Sequence, residues 1–195
     1  MKYSQNDEQE IILKYFEGKP PGRLLEIGAY NSKALSNSRA LIELGWEAVL
    51  VEPSPRCFSG LMKDYADNAK VKLLNACISN NYGVVEFFDS EGAVATTSRE
   101  HFEKWNPHQK DFQTIYVPTI PPGEITKTFG NQFDFISIDT EGSDLKILKN
   151  MNLPSMGCSC ICIEYGADLD EICTLLFRHG FESLGHNGEN IICGK

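Results

Sequence analysis

Three carboxylates fall within six residues of one another in the stretch FDFISIDTEGSDLKIL, residues 133–148. The apolar residues before Asp139 predict a buried strand, and Asp139, Glu141 and Asp144 follow it at once. Like charges at such spacing cost free energy unless a positive group lies close to them. The stretch therefore predicts a site for a positively charged ligand at the end of a strand.

The elements that must position these acids alternate between strands and helices along most of the chain. The predicted strands are residues 23–28, 47–52, 70–79, 83–89, 133–139, 158–166, 181–185 and 189–194. The predicted helices are residues 4–18, 35–44, 53–66, 143–151 and 169–180. This alternation is typical of βαβ units, so we expect a three-layer α/β fold with a mainly parallel sheet. In the first helix, Ser4 or Asn6 is the expected N-cap.

Residues 89–123 interrupt the alternation with a segment rich in Ser, Thr and Pro. We expect a loop, a short helix and an extended stretch here, and we interpret the segment as an insertion on the substrate side. Because loops of this length are often functional, the segment, with Thr96, Thr97, Ser98, Trp105 and the run PTIPP, is a candidate lid over the acceptor. Trp105 either stacks on a substrate or anchors the loop to the core.

The composition disfavours several classes of partner. The 195 residues are 42% hydrophobic, which is enough for the core of a single domain over residues 1–195. The net charge of -9 argues against nucleic acid and against an anionic membrane surface, because both select for an excess of Lys and Arg. We find no signal-peptide pattern and no apolar run of membrane-spanning length, so we expect a soluble, cytoplasmic protein.

The seven cysteines are an odd number without a C-x-x-C pair, which favours reduced thiols over a disulfide framework. Cys158, Cys160 and Cys162 alternate along one predicted strand and should point to one of its faces. Such thiols could hold a metal, but we favour small core side chains.

Acids lie at or near the carboxyl ends of the predicted strands 23–28, 47–52 and 133–139, namely Glu26, Glu52 and Asp139. Parallel sheets bind ligands beyond the carboxyl ends of their strands, where the strand order reverses. A dinucleotide site needs a G-x-G-x-x-G turn, whereas the turn GAYNSK has Gly28 alone, and Glu26 would lie close to the pyrophosphate. S-adenosylmethionine carries a sulfonium and an ammonium group but no phosphate. The carboxylates therefore favour it over a dinucleotide.

Glu52 lies 26 residues after Glu26, where an acid can accept hydrogen bonds from both hydroxyls of a ribose. Sites for NAD and for S-adenosylmethionine share this feature, so Glu52 does not distinguish them. Each acid alone also has a structural interpretation, with Glu26 capping a loop amide and Glu52 pairing with a surface lysine. Taken together with Asp139, they favour a ligand site.

Seven motifs spread over nearly the whole chain carry a family resemblance. They are SQNDEQEIIL, LLEIGAYNSKALSNS, GWEAVLVEPSP, LLNACIS, DFISIDTEGSDLKIL, ICIEYG and GENIICGK. These motifs resemble those of FkbM-type S-adenosylmethionine-dependent methyltransferases, and the fifth is the most specific. The resemblance implies a Rossmann-like class I methyltransferase fold, with a seven-strand-type sheet and an antiparallel carboxyl-terminal strand. It also implies methyl transfer to oxygen, commonly of a sugar or polyketide hydroxyl.

The resemblance further implies a set of cofactor contacts. Glu26, Gly28 and the backbone near Tyr30 and Asn31 would hold the methionyl part, and Asp139 would face its amino group and sulfonium. The other expected contacts are Glu52 with the ribose, Ala76 and Cys77 along the adenine, and additionally Ala29, Asn37 and Pro53.

The chain departs from the family pattern in two places. The family often has Asp-Gly where this chain has Asn31-Ser32, for which we expect a weakened cofactor contact. Asp144 stands where the family usually has Glu, which shortens the reach of the side chain by one methylene.

A hydroxyl acceptor must lose its proton as its oxygen attacks, which requires a carboxylate or a histidine within hydrogen-bond reach. Glu141 is the first candidate for this base, and Asp139 completes the candidate catalytic residues. Two alternatives stay open for Glu141. It could cap the helix that begins near Ser143, or bind Mg²⁺ or Ca²⁺ together with Asp139 and Glu164. Our leading interpretation assigns no metal to the site.

The four histidines, His101, His108, His179 and His186, are scattered without ligand spacing, which argues against zinc. We expect His101 and His108 to be exposed surface side chains. The leading hypothesis is thus a methyltransferase that acts on a hydroxyl of a small molecule or glycan. The alternatives are a non-catalytic domain that kept the S-adenosylmethionine pocket, and an NAD-binding oxidoreductase. The sequence leaves the acceptor and the oligomeric state open.

Overall fold

The computed structural model describes residues 1–108 and 111–195; residues 109 and 110 of the predicted insertion lie outside the described residues. The strands are β1 Arg23–Ile27, β2 Glu47–Val51, β3 Val71–Leu74, β4 Cys77–Ile78, β5 Gly83–Asp89, β6 Gln113–Ile120, β7 Phe135–Ile138, β8 Cys160–Glu164, β9 Glu182–His186 and β10 Asn190–Gly194. The helices are α1 Glu8–Tyr15, α2 Arg39–Glu43, α3 Pro55–Asp64, α4 Arg99–Trp105, α5 Pro122–Phe129, α6 Asp144–Asn150 and α7 Leu169–Arg178, with a short 3-10 helix at Leu153–Met156.

Within the described residues, seven strands form one sheet in the order β3-β2-β1-β7-β8-β10-β9. The pairs among β3, β2, β1, β7 and β8 are parallel, and β10 runs antiparallel to both β8 and β9. The expected α/β class with an antiparallel carboxyl-terminal strand is confirmed. The strand order reverses between β1 and β7, so the carboxyl ends of these two strands frame the switch point.

Apolar side chains cover both faces of this sheet, which gives three layers. On one face, Ile12 of α1, Leu41 of α2 and Leu61 of α3 pack with Leu24 and Leu50. The other face contains apolar residues of α5, α6 and α7, namely Ile125, Ile147 and Ile172. Strands buried on both faces explain the nearly continuous apolar runs in the sequence.

The cysteines of β8 divide between the two faces. Cys160 and Cys162 pack on the α1–α3 side, and Ile161 and Ile163 pack on the other side, as the alternation predicts. Cys158 precedes the strand and packs with Ile161, so the prediction that it shares a face with Cys160 was wrong. All three thiols are free and buried.

Three further strands form a second, smaller sheet in the order β4-β6-β5. The strand predicted over residues 70–79 is therefore two strands, β3 in the large sheet and β4 in the small one. The strand predicted over residues 83–89 is confirmed as β5, and its antiparallel partner β6 is the extended stretch expected in the insertion. The helix α5 was not predicted, since Pro121 and Pro122 were interpreted as part of that stretch; Pro122 instead occupies the first turn, where its missing N–H costs nothing.

The first helix begins at Glu8, later than predicted. Asp7 occupies its N-cap position without a side-chain hydrogen bond, so neither Ser4 nor Asn6 is the cap. The Ser4 hydroxyl instead accepts a hydrogen bond from the N–H of Gln9. In the described parts of the chain, no helix has the length and apolar character needed to cross a membrane.

Candidate functional site

A pocket opens at the carboxyl ends of β1, β2 and β7, beside the switch point. It is lined by Gln5, Ile27, Gly28, Tyr30, Leu35, Val51, Glu52, Pro53, Ala76, Cys77, Ile78, Phe87, Gly92, Ala93, Ala95, Thr97, Asp139, Thr140, Glu141, Ser143 and Ile147. Of the residues predicted from the sequence, Gly28, Tyr30, Glu52, Pro53, Ala76, Cys77, Asp139 and Glu141 are in this lining. Glu26, Ala29, Asn31 and Asn37 are not.

Glu52 is held rigidly at the end of β2. Its Oε2 accepts a hydrogen bond from the N–H of Tyr30 at 2.8 Å, and its Oε1 accepts one from the N–H of Ser54 at 2.7 Å. Burial raises the pKa of Glu52 to about 7, although these two hydrogen bonds oppose the shift. The carboxylate contacts backbone amides rather than the surface lysine considered above, and it keeps free lone pairs for a ligand.

Gly28 allows the loop after β1 to approach the end of β7. Its φ is 88°, and a Cβ at this position would lie 1.6 Å from the carbonyl oxygen of Asp139. Tyr30 follows with a φ of 40° and directs its N–H at Glu52. Asn31 turns away from the pocket, because its Oδ1 accepts hydrogen bonds from the N–H groups of Lys33 and Ala34.

Glu26 faces the loop that precedes α2. It accepts a hydrogen bond from the hydroxyl of Ser38 at 2.6 Å, and only 4% of the residue is exposed. Burial raises the pKa of Glu26 to about 7, with the Ser38 hydroxyl opposing the shift. Asn37 of the same loop lies 3.4 Å from the hydroxyl of Ser137. Glu26 therefore contacts the loop before α2, and it is not part of the pocket lining.

The wall between β2 and β4 is built from small and neutral groups. Ala76 and Cys77 line it, and burial raises the pKa of the Cys77 thiol to about 12, which keeps it uncharged. The amide of Asn75 donates hydrogen bonds to the carbonyl oxygens of Glu52 and Pro53. This fixes the chain that passes from the end of β2 to the wall.

Asp139 is surrounded by other acids. No donor among the described residues contacts its carboxylate, and burial together with Asp144, Glu141, Glu26 and Glu189 raises its pKa well above the usual range. Neutralisation by protonation and binding of a cation are the two ways to relieve such a cluster. The predicted convergence of negative charge at this strand end is therefore present in three dimensions.

Asp144 holds the loop between β7 and α6. Its carboxylate accepts hydrogen bonds from the N–H and hydroxyl of Thr140 at 2.7 and 2.9 Å, and from the N–H of Gly142 at 3.1 Å. Because these donors occupy both oxygens, Asp144 orders the loop that presents Asp139 and Glu141.

Glu141 has a φ of 56°, a left-handed conformation that costs free energy in a residue other than glycine. Its carbonyl accepts a hydrogen bond from the hydroxyl of Thr96, and its Oε2 lies 2.8 Å from Nε2 of His101. Helix α6 has Ser143 at its N-cap position with no side-chain capping bond, so the capping role considered for Glu141 was wrong. The prediction that His101 is exposed was also wrong, since 14% of its side chain is accessible. The prediction held for His108.

Carboxylate oxygens of Asp139, Glu141 and Glu164 lie within 4.8 Å of one another. The Oε2 of Glu164 is buried without a hydrogen-bond partner, and burial raises the pKa of Glu164. Three oxygens at this spacing suit either a divalent cation or an organic cation. The spacing alone favours neither ligand, and clustered acids are common without a metal.

Several residues of the pocket were missed by sequence reasoning. Gln5 reaches the pocket from the amino-terminal segment, and its amide donates a hydrogen bond to Glu189 in the loop before β10. Gly92, Ala93, Ala95 and Thr97 reach it from the predicted insertion. The only signal for the latter was the irregular composition of residues 89–123, which suggested a lid without saying which side chains face inward.

Comparison with known sequences decides the family. Residues 26–183 match the methyltransferase FkbM domain, which is more than three quarters of the chain. The chain belongs to the FkbM family of methyltransferases. Its methyl donor is accordingly S-adenosylmethionine, and the NAD-binding alternative loses its support. No curated protein matches the sequence.

Solved structures that resemble this FkbM-family chain are methyltransferases and related proteins of low sequence identity. The METTL16 MTase domain aligns with a TM-score of 0.52 at 13% identity, over 95% of this chain and 63% of that one. The Methanococcus jannaschii fibrillarin pre-rRNA processing protein aligns with a TM-score of 0.51 at 12% identity, over 97% of this chain and 76% of that one. Precorrin-6y C5,15-methyltransferase from Geobacter metallireducens GS-15 aligns with a TM-score of 0.51 at 13% identity, over 100% of this chain and 93% of that one. At these identities the likeness establishes the class I methyltransferase fold alone.

Proposed function

We propose that this FkbM-family protein transfers a methyl group from S-adenosylmethionine to a hydroxyl oxygen of a sugar, a glycan or another small molecule. The observation that carries the proposal is the cluster of Asp139, Glu141 and Glu164, which has no lysine or arginine in ion-pair contact among the described residues. It borders the pocket at the switch point, where a cationic methyl donor and an acceptor hydroxyl would meet.

The residues of the pocket fit the donor along its length. Glu52 offers the free lone pairs of a fixed carboxylate to the two ribose hydroxyls. Ala76 and Cys77 offer a neutral wall for adenine beside Pro53. Asp139 offers an unpaired carboxylate to the ammonium and sulfonium groups.

Glu26, Ala29, Asn31 and Asn37 support the donor site from behind the lining. Ala29 donates its N–H to the carbonyl of Val51, which joins the loop after β1 to β2. Asn31 and Ser32, which replace the Asp-Gly of the family pattern, lie outside the lining and contact their own loop and Asp64. The non-catalytic alternative therefore gains no support from these two residues.

S-adenosylmethionine, when bound, supplies a methyl group activated by its positive sulfur. The chain must then hold the acceptor in line, exclude water and remove the hydroxyl proton. Glu141 is suited to the last task, because its carboxylate borders the pocket and 18% of its side chain is exposed.

A second groove next to the cluster is a suitable acceptor site. It runs between α4 and the loop after β8, and Ser98, His101, Lys104, Glu164, Tyr165 and Asp168 are part of its lining. Several carboxylates with a single lysine favour a neutral, hydroxyl-rich acceptor over a phosphorylated one. The net charge of -9 likewise argues against nucleic acid as the acceptor.

Calorimetry tests the donor site first. We expect S-adenosylmethionine and S-adenosylhomocysteine to bind and NAD⁺ not to bind. Glu52→Ala should lower the affinity for both sulfur compounds by about tenfold or more, because one to two charged hydrogen bonds are lost. Glu47→Ala, at the exposed start of the same strand, is the matched control and should bind normally.

Methyl transfer to methyl α-D-glucopyranoside, glycerol and a short hydroxyl-bearing peptide then tests the acceptor class. Methyl ethers formed from the first two compounds would support the proposal. Transfer only to the peptide, or only to a nitrogen or carbon acceptor, would contradict the sugar and small-molecule assignment. Failure of the folded protein to bind either sulfur compound would contradict the donor site itself.

A further inference from the structure

Helix α4 of the predicted insertion places a histidine, His101, against the acid cluster. Nε2 of His101 lies 2.8 Å from Oε2 of Glu141, with 14% and 18% of the two side chains exposed. The two atoms are within ion-pair distance, but the geometry is not that of a well-directed hydrogen bond, since Nε2 has no hydrogen-bond partner in the described part of the chain. Nδ1 of His101 makes no hydrogen bond among the described residues. A nearly buried imidazole thus has one nitrogen on a carboxylate and the other available.

The approach of α4 is fixed by contacts on either side of this pair. The hydroxyl of Thr96 donates to the carbonyl of Glu141 at 2.7 Å, and the hydroxyls of Thr97 and Ser143 lie 3.1 Å apart. Gly142, with a φ of 105°, leaves room for the helix, since an added Cβ would meet the side chain of Ser98 at 3.3 Å. The strained φ of Glu141 is part of the same arrangement. His101 is therefore placed by several independent interactions.

From this geometry we propose that His101 is a catalytic residue that accepts the acceptor's proton, and that Glu141 positions its ring. This inference rests on the proposed methyl transfer to a hydroxyl. It changes the role of Glu141 from the base itself to the group that orients the base, an arrangement that many enzymes use to activate a hydroxyl.

The proton and electron pairs balance in a single displacement. The acceptor oxygen forms the new bond to the methyl carbon, and the sulfur keeps the electron pair of the broken carbon–sulfur bond. The hydroxyl proton moves to Nδ1 of His101, and the resulting imidazolium is stabilised by the Glu141 carboxylate. S-adenosylhomocysteine and a methyl ether are the products, and the proton passes afterwards to water.

His101 shares the acceptor groove with other titratable groups on three elements and one loop. These are Glu100 and Lys104 of α4, Asp144 of α6, Glu164 of β8, and Tyr165 and Asp168 of the following loop. Asp144 is already occupied by backbone and hydroxyl donors, and Glu164 is the other carboxylate without a full set of partners. In the purely structural alternative, which we call the structural rival, His101 only holds α4 in contact with the loop after β7.

Chemical rescue separates the two roles. Turnover is measured as S-adenosylhomocysteine formed with methyl α-D-glucopyranoside or glycerol as the acceptor probe, and with water alone as the reference. His101→Ala should lower kcat about 100-fold or more, while its affinity for S-adenosylhomocysteine stays within about twofold of wild type. Free imidazole should restore part of the loss. His108→Ala, the exposed histidine of the same segment, is the matched control and should be unaffected.

The outcomes distinguish this inference from the proposed function. Full turnover by a folded His101→Ala would overturn the role of His101 and leave the methyl transfer intact. A loss that imidazole does not restore, with the melting temperature lowered, would favour the structural rival. Wild-type protein that binds the donor but methylates no hydroxyl probe would contradict the proposed acceptor class instead.

A second measurement requires no acceptor. Two-bond ¹H–¹⁵N spectra report which ring nitrogen of a histidine carries the proton, and the resonances of His101 are assigned by their loss in His101→Ala. Under mildly alkaline conditions we expect the proton on Nε2, facing Glu141, and we expect Glu141→Ala to abolish this preference. A ring protonated on Nδ1 in the wild type would overturn the inference, because that nitrogen could not accept a proton.

Discussion

At the scale of single residues, Glu26 and Glu52 show that one side chain at equivalent strand ends can take two roles. Both are buried and both have a pKa raised to about 7. Glu52 is held by two backbone N–H groups and borders the pocket, whereas Glu26 turns to Ser38 behind it. The direction of a side chain, rather than its type, decides which acid can meet the ligand.

Asp139 is the residue for which affinity and stability should change in opposite directions. Asp139→Asn replaces a carboxyl whose ionised form is disfavoured by burial and by the neighbouring acids, so we expect the melting temperature of the ligand-free protein to rise at pH values where Asp139 would be ionised. The same change should lower the affinity for S-adenosylmethionine about tenfold or more, because the positive groups of the ligand lose the carboxylate proposed to face them. Calorimetry and thermal unfolding measure the two effects, with Asp67→Asn at an exposed position as the control. Unchanged affinity would remove Asp139 from the donor site.

At the scale of elements, the junction of β1 and β7 depends on the absence of a side chain at Gly28. A Cβ there would lie 1.6 Å from the carbonyl oxygen of Asp139, and Gly18, with a φ of 75°, has no atom within 4 Å of such a Cβ. Both glycines have a positive φ, and they differ in the space around an added Cβ. They therefore form a matched pair for substitution.

Gly28→Ala should destabilise the protein by several kcal/mol or prevent folding, because the strands must separate to admit the methyl group. Gly18→Ala should cost only about 1 kcal/mol, which is the strain of the backbone alone. Urea unfolding of both variants checks the difference. Equal losses would mean that β1 and β7 are less tightly packed than the structure has them.

The amino-terminal segment contributes to the pocket, although the motifs at the strand ends do not predict this contribution. Gln5 lines the pocket and donates to Glu189, and Asn6 contacts the same carboxylate without lining the pocket. We expect Gln5→Ala to lower the affinity for S-adenosylmethionine about fivefold, which is the effect of about one hydrogen bond, and to leave the stability of the protein unchanged. Asn6→Ala is the control in the same calorimetric titration. Equal weakening by both variants would assign the effect to the anchoring of the segment.

At the scale of the whole molecule, unbalanced acids give the stability an unusual pH dependence. Glu26, Glu52, Asp139, Asp144 and Glu164 all have a raised pKa. A raised pKa means that the folded state binds protons more tightly than the unfolded state. The stability from these groups is therefore complete below the unfolded pKa and is lost as the pH rises through the folded pKa.

The ligand-free protein should accordingly lose stability as the pH rises from 4.5 to about 7, where Glu26 and Glu52 ionise. A carboxyl whose pKa moves between these values contributes about 3 kcal/mol. Saturating S-adenosylmethionine should reduce the decline, because a cationic ligand favours the ionised acids. Urea unfolding across this interval checks both statements. Stability that rises with pH in the ligand-free protein would contradict them.

The sequence by itself determined the family, the α/β class and the strands that carry the acids. Apolar runs and alternations are local, so Leu24, Ile136 and Ile161 identify their strands without knowledge of any neighbour. The acids Glu52 and Asp139 could be placed at one site because parallel strands of this topology end at the same edge of the sheet. Whether residues 89–123 are an insertion in the family sense remains a prediction from sequence.

The tertiary structure alone decided which side chains face the pocket. His101 meets Glu141, Thr97 meets Ser143 and Gln5 meets Glu189, across separations of 40, 46 and 184 residues in the chain. No local pattern encodes such contacts, because they depend on how whole elements pack against one another. The same holds for Glu26 and Asn31, whose hydrogen bonds to their own loops turn them away from the pocket.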